Sequence, residues 1–142
     1  MRRSMLFLPG NTPGIIVNGE ILGADALILD LEDAVAPTEK DSARILVRNA
    51  ISRMGFGACE VIVRINAADT AYWQRDLEAI VPVKPALIVG VPVGFVNVVE
   101  SKELICELDV PFIVARGRKG GSNVAAAICN ALLYLASNNE RE

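Results

Sequence analysis

The sequence contains no histidine. Any chemistry must therefore fall to carboxylates, Lys, Arg, Tyr or a metal held by oxygen atoms, because the commonest general base, the Ser-His and Cys-His pairs and the commonest zinc ligand are all missing. Two constellations stand out. Asp30, Glu32 and Asp33 close one apolar run, and Arg64 lies in a later one. Carboxylates so closely spaced suit a hard cation with oxygen ligands, or else they are solvated and paired with nearby Arg and Lys, as surface charges usually are. The second constellation is Arg116-Gly117-Arg118-Lys119-Gly120-Gly121-Ser122. Its three cations, flexible backbone and predicted helix start favour an anion; alternatively the glycines only permit a turn and the cations are solvated. The GxxxxGK[ST] spacing is missing, so nucleotide hydrolysis is not indicated. Two turn-rich stretches, Pro9–Gly14 and Gly90–Gly94, are either ligand-approach loops or ordinary turns.

These residues need elements to carry them. Short apolar runs at Met5–Leu8, Ala26–Leu31, Val61–Ile65, Ala86–Val89 and Pro111–Ala115 are bounded by Gly, Pro or polar residues and read as buried parallel strands. Helical periodicity fills the gaps. From Thr38 to Met54, residues Ala43, Val47, Ala50, Ile51 and Met54 share a face, and Thr38 with Asp41 resembles a capping box. Trp73, Leu77, Ile80 and Val81 mark a shorter helix, while Thr12-Pro13 opens a weak one containing Gly14, Asn18 and Gly19. In the last helix Ser122 is placed to cap, and Val124, Ile128, Ala131, Leu132 and Leu135 form the apolar stripe. Tyr72, Trp73 and Tyr134 are spaced as packing residues. Five alternating βα units predict an α/β fold: a flavodoxin-like open five-stranded parallel sheet of order 2-1-3-4-5, with helices on both faces and the ligand side at the strands' carboxyl ends. One domain over residues 1–142 is expected, since 142 residues at 52% hydrophobic content can bury one sizeable core.

Composition narrows the partners. A net charge of -3 without a dense Lys/Arg run gives no footprint for nucleic acid. No apolar stretch reaches membrane-spanning length, and Cys59, Cys106 and Cys129 are isolated and odd in number, so a cytoplasmic setting without disulfides is expected. Exposed strand edges would allow a homodimer.

Three blocks, Arg-Arg-Ser-Met-Leu-Phe-Leu-Pro-Gly-Asn at 2–11, Gly-Ala-Asp-Ala-Leu-Ile-Leu-Asp-Leu-Glu-Asp-Ala-Val at 23–35 and Val-Arg-Ile-Asn-Ala at 63–67, resemble the citrate lyase beta-subunit (aldolase-like) family. That resemblance covers residues 1–82. It implies derivation from a (β/α)₈ barrel that cleaves carbon–carbon bonds in acyl-CoA substrates with magnesium, with Arg64 gripping a substrate carboxylate and the magnesium-binding acids supplied by later strands. Three further segments, 84–96, Glu100-Ser-Lys102 and Arg116–Ser122, resemble the carboxyl-terminal part of precorrin-8X methylmutase over 84–138. This second resemblance implies that the 116–122 loop helps hold a corrinoid's carboxylates, and that the proton donor, a histidine, belongs to the half not matched. Two half-matches meeting near Val81–Lys84 lead to the expectation of an engineered chimera, recombinantly expressed. It would be a scaffold without a complete active site, catalytic residues or cofactor. On that reading Asp30, Glu32, Asp33 and Arg64 are relics of a substrate or metal side, and Arg116, Arg118, Lys119, Gly120, Gly121 and Ser122 bind an adventitious phosphate, sulfate or carboxylate. The alternatives are an anion- or carboxylate-binding module using the 116–122 loop, or a residual magnesium-dependent acyl-CoA lyase-like protein.

Overall fold

A computed structural model describes residues 4–138. The chain packs as two compact units: residues 4–67 with 72–83 in one, and residues 68–71 with 84–138 in the other.

The amino-terminal unit runs β1 (Met5–Pro9), α1 (Pro13–Val17), β2 (Ala26–Asp30), α2 (Lys40–Arg53), β3 (Glu60–Arg64) and α3 (Trp73–Ile80). Its strands are parallel and ordered β1-β2-β3. The expected flavodoxin-like order would have put the first strand in the middle; the second occupies it instead. Burial gives the reason, because all five residues of β2 are buried, as a strand flanked and covered on both faces must be, whereas Met5 and Phe7 of β1 remain exposed. Leu8, Leu27, Leu29 and Leu31 meet Ala43, Val47 and Ala50 of α2 and Ile80 of α3 in one apolar core. Truncating a leucine there to alanine costs roughly 2–5 kcal/mol.

Helix ends depart from the sequence pattern. A tight turn at Pro37–Glu39 precedes α2, whose N-cap is Glu39 without a side-chain cap bond, so the Thr38–Asp41 capping box does not form. Pro37 explains it: proline favours the first position of a helical turn, moving the start of helical geometry ahead of Thr38. α1 is only five residues long, and Asn18 ends it by donating its amide to the Gly14 carbonyl at 2.7 Å. The face of α3 formed by Trp73, Leu77 and Ile80 is buried as its spacing predicts.

The second unit contains β4 (Ile88–Gly90), α4 (Val98–Cys106), β5 (Phe112–Val114) and α5 (Ser122–Asn138). β4 and β5 pair in parallel as a separate two-stranded sheet. Among the described residues the strands thus form sheets of three and two, not the continuous five-stranded sheet expected. Each strand of this second sheet is three residues long. Val124 and Ala125 donate their amides to the Gly121 carbonyl, so Ser122 is the first helical residue of α5 and not its cap. The proposed stripe of α5 is largely uncovered: Val124, Leu132 and Leu135 are exposed, as is Tyr134.

Candidate carboxylate and loop sites

The parallel register places Asp30 opposite Arg64 at the carboxyl ends of β2 and β3, where an α/β sheet presents its ligand groups. The Arg64 Nη1 donates to Asp30 Oδ2 at 3.3 Å and Nη2 donates to Asp33 Oδ2 at 2.9 Å; Nη2 also pairs with Glu32. Asp30 is itself fixed, accepting the Glu32 amide at 2.8 Å and the Ala34 amide at 3.3 Å. The guanidinium lies 5.9 Å from the centre of the Phe7 ring, within reach of a cation–π contact. Burial alone would lower the Arg64 pKa, but the hydrogen bond that Arg64 donates to Asp33 and the charges of Glu32, Asp30 and Asp33 outweigh it and hold it above its ordinary value. Arg64 stays cationic wherever the chain is folded.

The four residues singled out from the sequence therefore converge, around a guanidinium. Magnesium requires near-octahedral oxygen coordination, and the three acids do not fit it, since their oxygens turn to Arg64. Among the described residues no group of three or more His, Cys, Asp or Glu is arranged to hold a metal ion.

Behind this cluster lies a polar framework that sequence patterning did not identify. Buried Lys40 donates its ammonium to the Leu31 carbonyl at 2.7 Å and the Glu32 carbonyl at 2.5 Å, with the Tyr72 ring centre 5.7 Å away. Asn66 donates its side-chain amide to the same Leu31 carbonyl at 2.9 Å and to Asp76 Oδ2 at 2.7 Å, and its backbone amide also reaches Asp76 Oδ2. The other Asp76 oxygen accepts Arg44 Nε at 2.8 Å. Burial would lower the Arg44 pKa, but its bonds to Asp76 and Asp41 raise it overall. Three of the framework's charges could have been found from periodicity alone: Lys40 and Arg44 on α2 and Asp76 on α3 fall on the apolar stripes of their helices, as Lys102 does on α4 of the other unit, and a charge there must be paired or solvated.

In the second unit, Lys102 is fully buried and donates to the Gly117 and Lys119 carbonyls at 2.7 Å each. It holds the 116–122 loop from beneath, and burial lowers its pKa. Gly120 lets this loop lie against the chain at Val91–Pro92, because a Cβ there would sit 2.5 Å from the Pro92 carbonyl oxygen and closer still to that of Val91. Gly121 has φ of 109°, and its amide donates to the Val91 carbonyl at 2.6 Å. Arg116, Arg118, Lys119 and Ser122 are all exposed. Arg116 lies 3.7 Å from Glu103, and Arg118 stacks 5.7 Å from the centre of the Phe95 ring. The early Pro9–Gly14 loop carries Asn11, whose amide donates to Glu39 at 2.6 Å. The three cysteines are free and half-buried, and no helix among the described residues is long and apolar enough to cross a membrane.

Fold and site define an α/β protein with parallel sheets, similar in fold to CitE of Mycobacterium tuberculosis in complex with magnesium and acetate: TM-score 0.55 at 28% identity, covering 82% of this chain and 46% of that one. Residues 30–135 match the model of the precorrin-8X methylmutase family, and the chain belongs to that family. It is 48% identical to the cobalt-precorrin-8 methylmutase of Leptospira interrogans over 87 residues, which are 55% of this chain and 39% of the relative. It is also homologous to the citrate lyase subunit beta of Leuconostoc mesenteroides subsp. cremoris, at 39% identity over 93% of this chain and 43% of the relative. The chain thus spans less than half the length of the relatives it matches.

Both homologies expected from sequence are established. The expectation of a catalytically silent scaffold is overturned by these comparisons: the relatives are named citrate lyase subunit beta, and the solved structures similar in fold are CitE. Neither homology shows an engineered origin. The family match and the long citrate lyase alignment both run through Val81–Lys84, so the relationships overlap where a seam was expected.

Proposed function

We propose that this chain is lyase-like and binds a carboxylate-bearing substrate, of the citryl thioester kind, at the carboxyl ends of β1–β3. The observation that carries this reading is Arg64, a guanidinium at the end of β3 and opposite Asp30 in register, whose ionic partners among the described residues, Asp30, Glu32 and Asp33, all come from one short segment at the end of β2. A planar guanidinium presents paired N–H donors that match a carboxylate in two places at once. Asp30, tied by two backbone amides, keeps the arginine oriented, and Lys40 and Asn66 hold the backbone that carries Glu32 and Asp33. No metal-dependent step is assigned to these residues. Descent of this unit from the wall of a (β/α)₈ barrel is part of the same proposal, supported by its sequential strand order. The exposed cations of the 116–122 loop are proposed to take a phosphate, sulfate or carboxylate in a subordinate role, since Lys102 spends its own hydrogen bonds on that loop's carbonyls.

Calorimetry with citrate tests the main reading. Arg64→Ala is expected to abolish the heat of binding, and Arg64→Lys to weaken it by about tenfold or more, because the ammonium cannot form the paired contact. Turnover of a citryl-type thioester, lost in Arg64→Ala, would extend the reading from binding to catalysis. Undiminished citrate binding by Arg64→Ala would overturn it.

A further inference from the structure

We infer that Asp33 is an internal stand-in for the substrate carboxylate, occupying the outer side of Arg64 in the free protein and leaving it when substrate arrives. The inference rests on the proposed carboxylate site and adds a residue that sets its affinity. Three carboxylates hold Arg64, but unequally. The Asp30 side chain is 3% exposed and that of Glu32 23%, whereas the Asp33 side chain is 79% exposed while still 2.9 Å from Nη2. Asp30 cannot leave without breaking two bonds to backbone amides and stranding a buried charge. Asp33 has solvent waiting on its other side, and an exposed ion pair is a weak one.

The backbone beneath Asp33 cannot move with equal freedom. Lys40 holds the Leu31 and Glu32 carbonyls, Asn66 holds that of Leu31 as well, and the Val35 amide closes the turn onto the Glu32 carbonyl at 3.2 Å. Exchange is therefore a rotation of the Asp33 side chain over a fixed loop. One carboxylate replaces another on the same guanidinium nitrogen, so Arg64 is never left without a counter-ion. Asp33 also holds negative charge close to the guanidinium, which opposes an incoming anion. A merely structural Asp33 would lose stability or binding on truncation; an internal competitor predicts the opposite sign.

Two measurements on Asp33→Ala and wild-type protein decide the matter. With citrate in a calorimeter, the variant is expected to bind about two- to five-fold more tightly, the range set by the strength of an exposed ion pair. Without ligand, phenylglyoxal should modify Arg64 faster in the variant, read by mass spectrometry of the peptide carrying it, while Asp30→Asn serves as the control for general loosening. Equal or weaker citrate binding by Asp33→Ala, with the wild type binding, overturns the inference and leaves the carboxylate site standing. Faster Arg64 modification with no citrate binding by either protein removes the carboxylate reading but upholds the Asp33 cover. Unchanged modification overturns the inference whatever citrate does.

Discussion

Arg64 and Lys102 show how differently two buried or half-buried cations answer to pH. Arg64 is held above its ordinary pKa by its acids, so its charge is constant across the working range. Lys102 has the opposite shift: burial lowers its folded pKa below 10.5, so the folded state binds that proton less readily than the unfolded chain. Between the lowered value and 10.5 the unfolded state carries more protons, and the contribution of Lys102 to stability rises with pH. Below that window the cost of burying the charge is fully present. Denaturant unfolding from pH 8 to 10.5 should therefore show an alkaline rise in stability in the wild type relative to Lys102→Met. Parallel pH profiles for the two proteins would show that the ammonium's burial cost is not felt.

The elements are joined to their loops by polar bonds as much as by apolar packing. Asp76 ties the first turn of α3 to α2 through Arg44 and to the end of β3 through Asn66. With Asp76 and Arg44 both buried, removing one partner leaves the other charge uncompensated. Asp76→Asn is expected to cost about 3–5 kcal/mol in chemical denaturation, well above the ordinary effect of a surface change; a loss under about 1 kcal/mol would mean that water replaces the carboxylate. The pattern of helix stripes made these elements legible in advance, since α2 and α3 bury the faces predicted for them. It did not make α5 legible as a packed helix, because periodicity records which side is apolar and not whether anything covers it.

For the whole molecule, uncovered apolar surface is the main physical feature. Phe7 on β1 is 53% exposed, Phe95 85% and Leu135 on α5 66%, and β1 and β3 are the outer strands of their sheet. Open strand edges and apolar patches favour association. Sedimentation velocity is expected to show a species heavier than the 15.2 kDa monomer, its fraction growing with concentration. A single monomeric boundary at all concentrations would contradict this.

Local chemistry determined the alternation of strands and helices, the turns that separate them and the two charged clusters, because periodicity and Gly/Pro punctuation act over a few residues. The motif blocks likewise carried both homologies. Only the tertiary structure decided that β2 lies central, since β1 and β2 are equally apolar and their order depends on what covers each face. It alone separated the strands into sheets of three and two. It also showed that the acids of the first cluster close around Arg64 and that Lys40 and Lys102 hold the loops, because these are contacts between residues distant in sequence, fixed only once the helices have packed.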